Sequence, residues 1–248
     1  MFKTIAFVFA VSLLLVGCSP KKVTEDSISS TNSFGRVEMS ETMETKGSIS
    51  MDELSEELIE AVEGNDLVKV KEIIAIQPDA INQTNSQGES PLLIATHNNS
   101  LEIAKVLIDA KADVNQQDQI QDSPFLYAGA EGKTEILAYM LEHGQPDQSI
   151  VNRYGGNALI PAAEKGHLAN VKLLLEDGRS DINHQNNFGY TALIEAVALR
   201  DGSQVYLEIV QELLKYNADK TLRDHSGRTA EDYAKELGYD RILQELQK

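Results

Sequence analysis

Five histidines, one cysteine and a surplus of carboxylates are the groups in this 248-residue chain that could act on a substrate. The histidines fall at 97, 143, 167, 184 and 225, far from the short spacing that gathers metal ligands, and no second cysteine joins them. His97 and His225 read as solvated, His167 as a residue at a helix start, and none of them has an acid–base partner in the pattern. Glu131 and Glu164 occupy equivalent helix ends one repeat apart and could form the carboxylate pair of a hydrolase. With 39 acidic residues in the chain, a solvated acidic ridge is the simpler reading. Gly155-Gly156 is no phosphate-cradling loop, because no strand pattern precedes it. The expectation is a protein that is not an enzyme and needs no cofactor and no metal.

Charge narrows the partners. The 22 basic residues against 39 acidic ones leave a net charge of −17, the wrong sign for a nucleic-acid footprint or for electrostatic adhesion to anionic lipid. What remains is binding to another protein.

The elements that must position any binding residue repeat. The phrases Ser90 to Ala95, Ser123 to Ala128, Asn157 to Ala162, Thr191 to Ala196 and Thr229 to Ala234 have second residues at 91, 124, 158, 192 and 230. The intervals of 33, 34, 34 and 38 indicate stacked helix pairs. Each phrase follows a turn signalled by Asn85/Gly88, Asn152/Gly155, Asn186/Gly189 or Asp224/Gly227, an Asx side chain followed by a residue that accepts positive φ. In the unit opening at Asp118 the glycine is replaced by Gln121, so that turn is free to take another path. Ser90 should cap a first helix with Pro91 at its first position. Asn99, Gly132, Gly166 and Gly238 mark the bend into a second helix. That helix shows its apolar face as Leu101, Ile103, Ala104, Leu107 and Ile108.

These phrases, bends and tails such as Asn217-Ala218-Asp219 resemble the ankyrin-repeat family. The resemblance implies an all-α solenoid of about six helix-turn-helix units with short β-turn-like tips. The units run 51–84 as N-terminal cap, then 85–117, 118–151, 152–185 and 186–223, with 224–248 as C-terminal cap. The family's usual histidine in the phrase is replaced by Leu93, Leu126, Ile160, Ile194 and Asp232, which removes a hydrogen bond between turns and keeps apolar packing in four of the five. The family binds partners through its turn tips and the exposed side of its first helices. Carried onto this chain, that surface contains Glu89, His97, Asp122, Glu131, Arg153, Tyr154, Glu164, Lys165, Phe188, Tyr190 and Ala198. Phe188 and Tyr190 have a second reading as packing between turns. Two further irregularities stand beside them. Pro161, in the fourth helical position if Asn157 is the cap, either tilts its helix to open a groove or distorts one turn. The extra residues around 199–206 lengthen one unit between its two helices and are either a binding insertion or a tolerated loop.

The N-terminus suggests where the solenoid works. Lys3 precedes an apolar run from Ile5 to Val16, too short for a spanning helix of roughly 20 residues but right for a signal-peptide core. Leu15-Val16-Gly17-Cys18 resembles a bacterial lipobox, which implies residues 1–17 as a leader and Cys18 as the lipidated residue of an anchored envelope protein. The Ser, Thr, Glu and Lys-rich segment 18–50 reads as a tether. Taken together, these features describe a monomeric, lipid-anchored, extracytoplasmic module binding an unidentified protein. The alternative is a protective factor, either an immunity protein or the guardian of an envelope enzyme such as a catalase.

Overall fold

In four of the five phrases the opening residue caps a helix, as its type demands. Ser90 Oγ accepts from Leu93 N, Ser123 Oγ from Leu126 N and Thr191 Oγ1 from Ile194 N, each at 3.2 Å. Thr229 adds the reciprocal bond from its own N to Asp232, closing a capping box. The computed structural model describes residues 50–248. The expected leader, Cys18 and tether lie outside the described residues, except Ser50, which caps the first helix.

Among the described residues there are twelve α-helices and no strand. They form six pairs: α1 (Met51–Glu63) and α2 (Leu67–Ile76), α3 (Pro91–His97) and α4 (Leu101–Asp109), α5 (Pro124–Ala130) and α6 (Thr134–His143). After these come α7 (Leu159–Glu164) and α8 (Leu168–Asp177), α9 (Ala192–Ala198) and α10 (Gln204–Lys215), α11 (Ala230–Leu237) and α12 (Asp240–Leu246). First helices stack on first helices along the chain, and second helices on second helices. A first helix is therefore enclosed by two neighbours and its own partner. Thus α9 buries every residue from Ala192 to Val197, whereas α4 buries only the stripe Ile103, Ala104, Leu107 and Ile108. The residues that replace the family histidine are used for packing: Leu93, Leu126, Ile160 and Ile194 are all buried. No helix among the described residues is long and apolar enough to cross a membrane.

Pro161 acts at one turn. In the other phrases the cap carbonyl receives the N–H four residues on, as from Ile94 to Ser90 and from Glu195 to Thr191. Pro161 has no N–H to give. So α7 starts at Leu159, later in its phrase than its counterparts, while Asn157 Oδ1 still accepts from Ile160 N at 3.3 Å. Pro161 itself is buried. The long unit divides its extra residues between the link 199–203 and the twelve-residue α10. This insertion is tied on both sides. The Tyr206 hydroxyl donates to Glu164 O at 3.2 Å, and the Tyr239 hydroxyl donates to Arg200 O.

The five turns are built alike. Asn85, Asp118, Asn152, Asn186 and Asp224 each accept, through Oδ1, the backbone N–H groups two and four residues on. The freedom expected for the turn at Asp118 is not used. Gln121 takes φ 64°, in the left-handed region that Gly88, Gly155, Gly189 and Gly227 occupy elsewhere. The Asx bonds and the ladder between units hold it there against the preference of an L side chain. Gln121→Gly should therefore stabilise the protein by about 1 kcal/mol, read as a higher urea midpoint with an unchanged slope.

Candidate protein-binding surface

Superposing the five turns by their Asx residue puts Gln87, Ile120, Tyr154, Phe188 and Ser226 at the same tip position. The middle three are large, apolar and exposed, at 53%, 51% and 55% respectively, and the outer two are polar. Backbone bonds join tip to tip: Gln119 N donates to Gln87 O at 3.2 Å, Asn187 N to Tyr154 O at 2.9 Å and His225 N to Phe188 O at 3.0 Å. Between the second and third tips the link is a side chain. Arg153 donates to Ile120 O at 3.4 Å and lies 3.5 Å from the Asp122 carboxylate, with its guanidinium 5.1 Å from the Tyr154 ring centre. The row is thus a fixed apolar stripe with a polar margin, the form a docking surface takes.

Of the residues expected at this surface, Arg153, Tyr154 and Phe188 come together on the row, and Asp122 joins through Arg153. Burial raises the Asp122 carboxyl above its ordinary range, and Arg153 opposes that shift. Tyr190 belongs to the packing instead. It is half-buried against the core, and its hydroxyl lies 3.3 Å from that of Tyr233, which donates to Asp224 Oδ2 at 2.5 Å. Ile120 was missed, although aligning the tips by repeat would have found it.

The remaining expected residues form a second band along the first helices. Lys165 pairs with Glu131 and Arg200 pairs with Glu164, each across a unit boundary. Glu131 and Glu164 are therefore each engaged by a cation and do not stand as a free acid–base couple. Such half-exposed pairs add little stability. His97 is not solvated. Its Nδ1 sits 3.2 Å from Glu89 Oε1, its ring 4.2 Å from the Tyr127 ring, and its Nε2 is buried without a partner. The reason is its place near the C-terminal end of α3, where the next first helix covers it. His225 is exposed, and His167 does begin α8. Among the described residues, no three His, Cys, Asp or Glu side chains gather as metal ligands do.

One charged residue of this band has no counterpart in the other repeats. The fifth position of the phrase holds Ile94, Tyr127, Pro161, Glu195 and Tyr233. Glu195 is only 5% exposed; Oε1 accepts from Asn186 Nδ2 at 3.1 Å, and Oε2 is buried with no partner. Burial, reinforced by the charge of Glu164, pushes its carboxyl up to about 7, and the Asn186 bond and Arg200 only partly offset this. A carboxylate in a slot otherwise filled by apolar or aromatic residues was the legible signal.

Family comparison agrees with the geometry. A family model of ankyrin repeats (3 copies) matches residues 58–149, 110–186 and 159–248, and the chain belongs to the ankyrin-repeat family. No curated protein matches it. Among solved structures it is similar to EF0377, an ankyrin repeat protein, at 58% identity and TM-score 0.75, covering 77% of this chain and 96% of that one. An ankyrin repeat domain from Acinetobacter baumannii AYE is 43% identical with TM-score 0.74, covering 77% and 95%. A third match, at 25% identity and TM-score 0.65 and covering 77% and 96%, is to the complex of the predatory endopeptidase Bd0816 of Bdellovibrio bacteriovorus with the immunity protein Bd3460. Repeats of this family make a protein–protein interaction module, in general a non-catalytic scaffold.

Glu195 makes a measurable prediction. The unfolded chain releases this proton near 4.5 and the folded one near 7, so stability falls as pH rises between those values and the loss is complete above them. Glu195→Gln removes that loss. Wild type and variant should unfold alike near pH 4.5. At pH 8 the variant should be the more stable, by on the order of 3 kcal/mol, measured by urea unfolding at both values.

Proposed function

We propose that this protein is an envelope-anchored binding module that grips one protein partner with the Ile120–Tyr154–Phe188 row. The observation that supports it most directly is that row itself: three exposed apolar side chains on consecutive tips, locked in place by tip-to-tip bonds and bounded by polar tips. Arg153 and the Asp122 carboxylate give the row one polar, oriented neighbour. Glu131, Glu164 and Lys165 contribute from the first-helix band. The anchor is the lipidated Cys18 behind a leader at 1–17, with the tether carrying the repeats away from the lipid. A net charge of −17 favours a monomer and leaves nucleic acid out as a partner.

A second reading, neutralisation of a hydrolase as an immunity protein, is favoured by the similarity to the endopeptidase–immunity protein complex. It differs only in the partner's identity. It would show as inhibition of a purified envelope hydrolase of the same cell at one chain per enzyme.

The tip row is tested by Ile120→Ser/Tyr154→Ser/Phe188→Ser, with Val68→Ser/Ile76→Ser on the exposed side of α2 as the control. Crosslinking in native membranes with wild type should yield a defined adduct. The tip variant should lose it, with affinity down at least about tenfold, and the control should keep it. An adduct retained by a folded tip variant would place the interface elsewhere. Cys18→Ser should release the protein from the membrane fraction, and continued membrane association would remove the lipid anchor from the proposal.

A further inference from the structure

Glu195 and Asp224 are the two buried carboxylates among the described residues, and they are treated differently. Asp224 accepts from the Tyr233 hydroxyl, from the Ser226 hydroxyl and amide, and from Arg228 N, and these bonds hold its carboxyl down at about 2. Glu195 has the single bond from Asn186. Asn186 is also the residue from which its tip hangs, because Oδ1 accepts from Phe188 N at 2.9 Å and from Tyr190 N at 3.0 Å. Two hydrogen bonds in series therefore run from a buried carboxyl, through Asn186, to the last apolar member of the tip row.

We infer that Glu195 is a proton-operated latch on the binding surface: whether it carries its proton sets how the Asn186 turn presents Phe188 and Tyr190. The inference rests on the tip row being the binding surface, and it names how that surface is regulated. With the proton in place, a neutral carboxyl occupies a slot that its repeat counterparts fill with apolar or aromatic groups. When the proton leaves, two carboxylates, Glu195 and Glu164, act on one guanidinium. Arg200 is that guanidinium. It is held by Glu164 through Nη2, while its Nε is buried without an acceptor. Any shift of Arg200 toward the new charge draws on the link 199–203, which Tyr239 holds through Arg200 O. Burial keeps the proton on to about 7, so both states are populated near neutral pH.

The other titratable groups around this unit are identifiable. On α7 there is Glu164; on α10 there is Tyr206, bonded to the Glu164 carbonyl; on α11 there is Tyr233, held by Asp224. His225 donates its backbone N–H to Phe188 O, and its ring lies beside Gly189, so it is the neighbour to control for at this tip. His184 lies one tip away, its Nε2 2.7 Å from Gly155 O.

The test is a nitrogen–proton NMR titration of the full chain from below pH 6 to above pH 8. The signals followed are the Asn186 side-chain amide and the Phe188 and Tyr190 backbone amides. In wild type these three should move together with one midpoint near 7. Glu195→Gln should abolish the movement, whereas His225→Asn should leave it in place. A flat wild-type profile, or movement that survives Glu195→Gln and disappears in His225→Asn, overturns the inference. Because the titration needs no partner, its failure sinks the latch alone. Loss of the tip row as an interface would instead show in crosslinking while the titration stood.

Discussion

Everything in this molecule depends on one deficiency of the helix pair: two helices of 6 to 13 residues cannot bury their own apolar faces. Short helices are marginal in water without tertiary packing. Each unit therefore completes its core only against the next, which is why α9 is buried over six consecutive residues and α4 along one stripe. Stacking then fixes the tips. Once first helices lie on first helices, the turns that precede them must form a row, and backbone bonds such as Asn187 N to Tyr154 O tie the row together.

The tips show how a repeated constraint tolerates varied side chains. The Asx residue at the head of each turn satisfies two backbone N–H groups, so the turn's shape is independent of what stands between them. That frees the tip position to be Gln87, Ile120, Tyr154, Phe188 or Ser226 without disturbing the solenoid. The same bonds hold Gln121 at positive φ where the other turns use glycine. Here the surroundings outweigh the intrinsic preference of the residue.

Glu195 is the opposite case, a side chain that the packing does not want. Its slot suits Ile94 or Tyr233, and its second oxygen has no donor. Residues that break the local rule at a cost in stability concentrate at functional sites. Its neighbours Glu164 and Arg200 sit where the lengthened unit meets the one before it. Thus the irregular spacing, the buried carboxyl and the last apolar tip occupy one part of the molecule.

Periodicity determined the stacked helix pairs and their count, and the phrase, bend and tail residues carried the likeness to the family. Caps such as Ser90 and bends such as Gly132 are local and leave direct traces in residue type. Sequence also placed Arg153, Tyr154 and Phe188 at tips, because the turn signal beside them is local too. Only the tertiary structure separated Tyr190 from Phe188, enclosed His97 against Tyr127, gave Glu131 and Glu164 their cations and left Glu195 half-satisfied. Those outcomes depend on contacts between residues one repeat apart, and such contacts exist only after the units stack. A sequence carries the types that will meet across the boundary, but the depth of burial that decides their charge state and exposure is a property of the stack.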